Sequence, residues 1–528
     1  MHDTEIILVA ALVGGALAAA VRLPPLVGFL VAGFVLAVGG VESTTAVETV
    51  AGLGVTVLLF AVGLKIRLGL LGRREVLATS VVHLAGSTAL GFLVVGVLAL
   101  LGVGAAAALD ARGLLLVAFA LSFSSTVLVV KLLEERNASR SLGGRTAVGV
   151  LVIQDLAAVA FLAVAEGTAP SPWAVLVLLL LPCGPLLRAA LGRLGHDELL
   201  PLFGIVLALV PGYWLFESVG LKGDLGALAV GMLLATAPRA DELAKSIFTV
   251  KELLLVGFFV SVGLTDAPDA GEFLLACALL ALLPLTAVGF AVLFWGARFR
   301  RRTSVLTALT LTNFSEFGLI VVVAAPAGLL GPEWTSILGT AVALSFVLTS
   351  LMAGREERLV ATTRQRLPQR PVDELHEEDR PLDVTGVEAV VLGMGRVGRA
   401  AYERLHGHYG LRTLGIEADQ ERCERLRAAG FAVAEADATD PETWSATTLH
   451  DATLIVLAMP FHGSNLAALA HVRTSGFDGA VAVVVQYDEQ LVQAAQAGAD
   501  TGLQIYDGAG AELADRAIAV HRLSQEGP

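Results

Sequence analysis

The sequence predicts an all-α membrane bundle of about thirteen spans, joined by a charged linker to an α/β domain with a Rossmann-type, doubly wound parallel sheet. Three observations carry this expectation. Hydrophobic residues make up 55% of the 528 residues and charged residues 16%, with a mean hydropathy of +0.74, which is too apolar for a soluble chain of this length. Apolar stretches of bilayer length recur up to residue 353, after which the composition becomes charged. Beyond the linker, short β-branched runs alternate with helical ones, and the first run leads into Gly393-Met394-Gly395-Arg396-Val397-Gly398.

The net charge of -13 lies mostly in acids after Arg355, which excludes nucleic acid as a partner. Cys183, Cys277 and Cys423 are too scattered for a disulfide framework or a metal site, so a reduced, cytosol-facing chain fits. The first apolar stretch, Glu5 to Val21, has neither a basic n-region nor a cleavage site, and reads as a retained span.

Taken in order, the expected spans are 5–22, 25–41, 47–65, 74–102, 112–133, 145–166, 172–191, 198–218, 221–237, 250–266, 270–296, 303–325 and 334–353. Loops after odd-numbered spans hold the bases, among them Lys131, Arg136, Arg140, Arg145, Arg239, Lys245, Lys251, Arg298, Arg300, Arg301 and Arg302. Loops after even-numbered spans hold mainly acids, with Arg112 and Lys222 as exceptions. The positive-inside rule then puts the N-terminus outside and the C-terminus in the cytoplasm of a multi-pass protein of the cell (inner) membrane.

The sixth span holds Gln154-Asp155 about halfway along. An ionisable group at that depth costs several kcal/mol, on the order of +2.5 or more, and marks a functional position by default. Gln154 is the only adjacent residue able to hydrogen-bond it; the alternative reading is a carboxylate paired structurally with another helix. Two further spans look broken. The fifth contains Ser122-Phe123-Ser124-Ser125-Thr126, and the twelfth contains Thr310-Leu311-Thr312-Asn313-Phe314-Ser315-Glu316. Polar or unwound backbone is tolerated mid-membrane only where it lines a cavity or contacts protein, and paired interruptions point to a transporter's midplane site. Back-bonding to the helix, or small-residue packing, is the alternative for Ser124, Ser125 and Thr126. Together Asp155, Gln154, Ser124, Ser125, Thr126, Asn313 and Glu316 form the candidate ion site, whose oxygen ligands suit potassium or sodium equally.

These residues carry a resemblance. Leu23-Pro24-Pro25-Leu26-Val27-Gly28-Phe29-Leu30-Val31-Ala32-Gly33, Leu58 to Leu64, Ser124-Ser125-Thr126, Gln154-Asp155, Gly226 to Leu234, Gly257 to Leu264 and Ser315-Glu316-Phe317 resemble, in that order, the Kef-type branch of the monovalent cation:proton antiporter-2 family. The resemblance implies an inverted-repeat transporter fold in which the fifth and twelfth spans cross as broken helices beside the ion site. It also implies a homodimer and potassium/proton exchange. Sodium-transporting electrogenic relatives carry two adjacent acids where this chain has Gln154-Asp155, which implies one proton for one cation. The chain departs from the pattern in having no lysine in 270–296, with Thr286 near the expected place. Kef-type relatives are also inhibited by glutathione and opened by its adducts, so glutathione or an adduct joins the implied partners.

The organisation is then a transmembrane exchanger domain over 1–353, a linker over 354–386 and a nucleotide-binding domain over 387–528. In the last, Gly393 permits the tight turn, Gly395 lets backbone approach phosphate and Gly398 allows close helix packing, with the helix start at Arg396 and Val397 facing the anion. Glu417, at the end of the second strand, accepts from ribose hydroxyls and repels a 2′-phosphate, which favours NAD or AMP as a regulatory rather than redox ligand. A glycine turn without a ligand is the alternative. Glu435-Ala436-Asp437-Ala438-Thr439-Asp440 is similar to the Gly-Asp-Ala-Thr motif of RCK/KTN regulatory domains, which places Asp437 and Ala438 near the adenine by resemblance; an N-cap role is the alternative for Asp437. An oxidoreductase lacks a substrate domain and a catalytic set here, so the chain reads as no enzyme. A ligand-gated potassium efflux channel and a sodium:proton antiporter remain as alternatives to potassium/proton exchange.

Overall fold

The computed structural model describes residues 2–21, 23–65, 74–136, 138, 141–165, 180–193, 198–219, 221, 223–265, 267–326, 328–352, 355–363, 366–368, 370–380, 384–439, 444, 451–505, 514–515 and 517–518. The chain divides into two compact units. The first comprises Met1–Leu132, Thr146–Ala297 and Arg301–Gln369; the second comprises Leu133–Arg145, Arg298–Arg300 and Arg370–Pro528.

The described residues of the first unit form helices and the turns that join them. Among the described residues, 8 helices are long and apolar enough to cross a membrane, including Thr45–Leu64, Glu75–Leu100, Leu142–Leu162 and Glu333–Met352. A ninth span forms if Arg301–Leu311 and Glu316–Val323, bent by 41° at their junction, are taken together. The second, fifth and ninth expected spans contain the shorter apolar helices Pro25–Val38, Ala111–Ala120 and Gly223–Leu234. Most of the first half of the seventh, residues 172–179, lies outside the described residues.

Two spans differ in form from the expectation. The tenth is helical from Ala240 rather than from about 250, so Lys245 and Lys251 sit on a helix and not in a loop. The eighth widens into a π-type turn over Ala208–Trp214 around Pro211, whose missing N–H cannot continue the helical ladder. Helices approach closely where glycines face each other. A Cβ on Gly33 would lie 2.6 Å from the carbonyl oxygen of Val260, and one on Gly263 2.5 Å from that of Leu30. Small residues of this kind let backbones touch in lipid, where no hydrophobic force drives helix association.

The second unit is built on a six-stranded parallel sheet of order β3-β2-β1-β4-β5-β6. Its strands are β1 (Ala389–Leu392), β2 (Thr413–Glu417), β3 (Val433–Glu435), β4 (Leu454–Leu457), β5 (Ala480–Val485) and β6 (Thr501–Gln504). The reversal of order at β1 is the doubly wound topology expected from the alternation of strands and helices. All four residues of β1 are buried, as a central parallel strand covered on both faces requires. Register brings Leu392 beside Ile416 and Glu417 beside Glu435, so both acids stand at the carboxyl edge of neighbouring strands.

Candidate functional site

Two helix breaks form the heart of the first unit. Helix Ala111–Ala120 stops, residues 121–125 leave the helical path, and helix Thr126–Glu135 resumes. Likewise helix Arg301–Leu311 gives way over 312–315 before Glu316–Val323. Each break frees backbone amides that no water reaches inside a bilayer, and each unmet amide costs about 1–3 kcal/mol. Side chains satisfy them. The Ser124 N–H donates to Gln154 Oε1 at 3.0 Å, and the Ser125 N–H to Asn313 Oδ1 at 2.7 Å. In the second break, the Phe314 N–H donates to Ser345 Oγ at 3.1 Å, and Ser315 Oγ accepts from the Phe317 N–H at 3.1 Å. Asn313 also donates to the Thr310 carbonyl, which fixes its amide in the brace.

Two carboxylates flank this brace. Asp155 is 3% exposed on helix Leu142–Ala165, and Thr126 Oγ1 donates to its Oδ2 at 3.2 Å. Glu316 is fully buried; Ser125 Oγ donates to its Oε2 at 2.8 Å, while its Oε1 has no hydrogen-bond partner among the described residues. The candidate ion-site residues Ser124, Ser125, Thr126, Gln154, Asp155, Asn313 and Glu316 are thus brought together in one buried polar cluster.

One expectation is corrected. Gln154, foreseen as the hydrogen-bond neighbour of Asp155, spends its amide on the first break, accepting from Ser124 and donating to the Ser122 carbonyl at 3.4 Å. Adjacent residues on a helix point about 100° apart, so Asp155 and Gln154 address different partners.

Sequence reasoning missed Ser345, buried on helix Glu333–Met352, whose hydroxyl caps the second break. It also missed Lys251, 3% exposed, which pairs with Glu252 at 3.0 Å and lies over the Phe248 ring. A Lys251-Glu252 pair running directly into Leu253-Leu254-Leu255 is the signal that could have marked it. Near Thr286, where the family pattern has a lysine, His83 stacks on Phe290 and reaches the Thr286 carbonyl at 3.3 Å.

The second unit holds the candidate nucleotide site at the carboxyl edge of β1 and β2. Gly393 has φ +90 and a Cβ there would meet Met459 Cα at 2.9 Å, so only glycine makes this turn. A Cβ on Gly398 would run into the Gly393 carbonyl, the close helix packing expected of the third glycine. At Gly395 a Cβ would meet no protein atom within 4 Å, which leaves open space at the start of helix Arg396–Glu403, whose first residues are Arg396 and Val397. Glu417 accepts from the Met394 N–H at 3.2 Å and from Arg422 at 3.2 Å, so it is held against the glycine turn. Asp437 accepts from both the N–H and hydroxyl of Thr439, and the buried Ala438 offers its carbonyl to Trp444.

Helix breaks braced beside buried carboxylates, in a membrane bundle that precedes a dinucleotide-type sheet, define a cation/proton carrier with an appended nucleotide-type domain. Residues 7–354 match the model of the sodium/hydrogen exchanger transmembrane family, and residues 389–504 that of the TrkA-N domain. The chain belongs to the sodium/hydrogen exchanger family, within the Kef-type group of monovalent cation:proton antiporters. It is 27% identical over 530 residues to the putative cation/proton antiporter YbaL of Escherichia coli (strain K12), covering 93% of this chain and 92% of that protein. It is 31% identical over 468 residues to the glutathione-regulated potassium-efflux system protein KefC of Salmonella schwarzengrund (strain CVM19633), covering 83% and 72% respectively. The sodium proton antiporter MjNhaP1 of Methanocaldococcus jannaschii superposes at a TM-score of 0.49 with 18% identity, over 68% of this chain and 99% of that one. The matched family and the two sequence relatives are transporters, so the chain is a multi-pass membrane antiporter and not an enzyme.

Proposed function

We propose that the protein exchanges potassium for protons by alternating access, with cation and proton competing for Asp155, and that an adenine nucleotide, NAD or AMP, bound in the sheet unit gates the exchange. The observation that carries this reading is the buried Asp155 carboxylate, met by the Thr126 hydroxyl beside two cross-braced helix breaks. A carboxylate inside a bilayer is tolerated when neutralised, and either a proton or a desolvated cation neutralises it. An occupied site can then cross between the two faces, whereas an empty charged one resists crossing. With the braces holding the backbone, the hydroxyls of Thr126 and Ser125 and the free Glu316 oxygen are the groups placed to replace a cation's water.

The similarity to KefC, a potassium-efflux system protein, supports potassium as the cargo; the family's name supports sodium as the second reading. The same reading has a homodimer with the N-terminus outside and the sheet unit in the cytoplasm, with glutathione or an adduct as a further regulator. The ligand of the sheet is proposed to sit on Gly393, Gly395, Arg396, Val397, Gly398 and Glu417, with Asp437 and Ala438 towards the adenine.

The test is a proteoliposome with an imposed pH gradient. Adding potassium should dissipate the gradient in the wild type and not in Asp155→Asn, and sodium added alone ranks the two cations. A flux that follows voltage without collapsing the pH gradient would replace the carrier with a channel.

A further inference from the structure

The second unit contains more than the sheet and its linker. Leu133–Arg145 and Arg298–Arg300, drawn from the connections between membrane helices, belong to the same compact unit as β1 to β6. The first segment continues the helix that follows the first break, and it ends within helix Leu142–Ala165, which carries Asp155. The second directly precedes helix Arg301–Leu311, which leads into the second break.

Each segment is fastened by an arginine. Arg300 is buried against Asp379, 3.6 Å from its Oδ1, with its backbone N–H on Oδ2 at 2.6 Å. Arg145 Nη2 lies 2.8 Å from Glu435 Oε1, the two side chains being 18% and 14% exposed. Glu435 ends β3 in register with Glu417. The neighbouring Ala436 N–H binds the Glu417 carbonyl at 3.1 Å. The strand end that carries Glu435 is therefore built into the rim of the nucleotide site without Glu435 itself being one of the residues proposed to hold ligand.

We infer that the Arg145–Glu435 ion pair is the regulatory coupling contact of this protein, which transmits occupancy of the sheet by an adenine nucleotide to the helix that carries Asp155. The inference rests on the proposed reading of the sheet as a nucleotide site. Asp155 follows Arg145 by ten residues on one continuous helix, about 15 Å along a rod that transmits displacement with little give. An anionic nucleotide beside Glu417 and Asp437 changes the field at Glu435 and the position of the strand end. Either change alters the grip on Arg145, and a pair this well shielded is not screened away by salt. Arg422, which neutralises Glu417, sits within the sheet unit's own helix Gln420–Ala428 and has no such connection to the transport helix.

The experiment uses the full chain in proteoliposomes, with AMP and NAD as the probes, and reads the ratio of exchange rates with and without nucleotide. Nucleotide binding is measured separately by calorimetry on the same preparations. Arg145→Gln and Glu435→Gln should each bring the ratio to about 1 while binding changes by less than about threefold, and the charge swap Arg145→Glu with Glu435→Arg should restore at least about half the response. Arg145→Lys, which keeps the charge, should retain part of it. The inference is overturned if the single variants respond like the wild type, if they lose binding together with the response, or if the swap restores nothing. A wild type that exchanges ions and binds nucleotide but ignores it overturns the coupling alone. One that binds none removes the nucleotide reading too, and one that moves no protons removes the carrier reading.

Discussion

Asp155 and Glu316 are two acids buried in one polar cluster, yet they are held in different ways. Glu316 opens the short helix after the second break, accepts from the Ser125 hydroxyl, and keeps its other oxygen without a hydrogen-bond partner among the described residues. Asp155 lies in the middle of an unbroken helix and is met by the hydroxyl of Thr126. A carboxylate at a helix N-terminus is favoured by the helix dipole, whereas one in mid-helix is not. On the proposed reading, exchange belongs to Asp155 and the shaping of the site to Glu316.

The largest effect that tests this contrast is Asp155→Asn against Glu316→Gln. We expect exchange to fall by at least about 100-fold in the first, and by about tenfold or less in the second, which keeps an oxygen for Ser125. Equal loss in both, with both proteins intact by gel filtration, would erase the distinction between the two acids.

Next come the braces. Asn313→Ala and Gln154→Ala each orphan a buried amide, and thermal unfolding in detergent should register a loss of about 1–3 kcal/mol for either. Asn313 joins the two breaks, so its removal should also slow exchange; if only exchange falls and stability holds, Asn313 is an ion ligand rather than a brace.

A smaller effect belongs to Thr126→Val, which keeps the volume and removes the hydroxyl from Asp155. The half-saturating cation concentration should rise several-fold, on the scale of one hydrogen bond of about 1 kcal/mol, with Thr126→Ser restoring it. An unchanged concentration dependence would remove Thr126 from the cation's path.

The smallest expected effect lies in the sheet unit, where charge is excluded without being compensated. Burial pushes the Cys423 thiol up to about 12, with the charge of Glu435 as the next contribution. The thiol therefore stays protonated in the folded protein at pH values where it ionises in the unfolded chain. Folding stability from this group is full below the unfolded value of about 8.5 and declines as pH rises towards the folded one. Iodoacetamide at pH 8 should leave Cys423 unmodified until the unit is unfolded, as mass spectrometry would register. Labelling of Cys423 itself in the native protein, as distinct from the exposed Cys183, would contradict the burial.

Much of the candidate site was legible beforehand because hydroxyls, an amide and two acids in bilayer-length apolar runs violate composition in a way that needs no neighbours to notice. Ser124, Ser125, Thr126, Asp155, Asn313 and Glu316 stood out on that ground. The parallel sheet was equally legible, since β-branched runs alternate with helical segments. The roles within the cluster were hidden. That Gln154 turns from Asp155 to Ser124, and that Ser345 caps the second break, depends on which helices stand side by side. Ser345 in Val342-Ala343-Leu344-Ser345-Phe346 looks like any small helix residue.

By itself the amino-acid sequence determined the class of the molecule, the positions of the breaks and the glycine turn at Gly393, because each follows from local chemistry: hydropathy over a bilayer's length, backbone that cannot be left unpaired, and a φ that only glycine adopts at low cost. The tertiary structure alone decided that the Ser125 amide would be met by Asn313, 188 residues away, and that Arg145 would meet Glu435, 290 residues away. Those pairings arise from how helices and strands pack, and packing joins residues whose distance along the chain carries no trace of their contact.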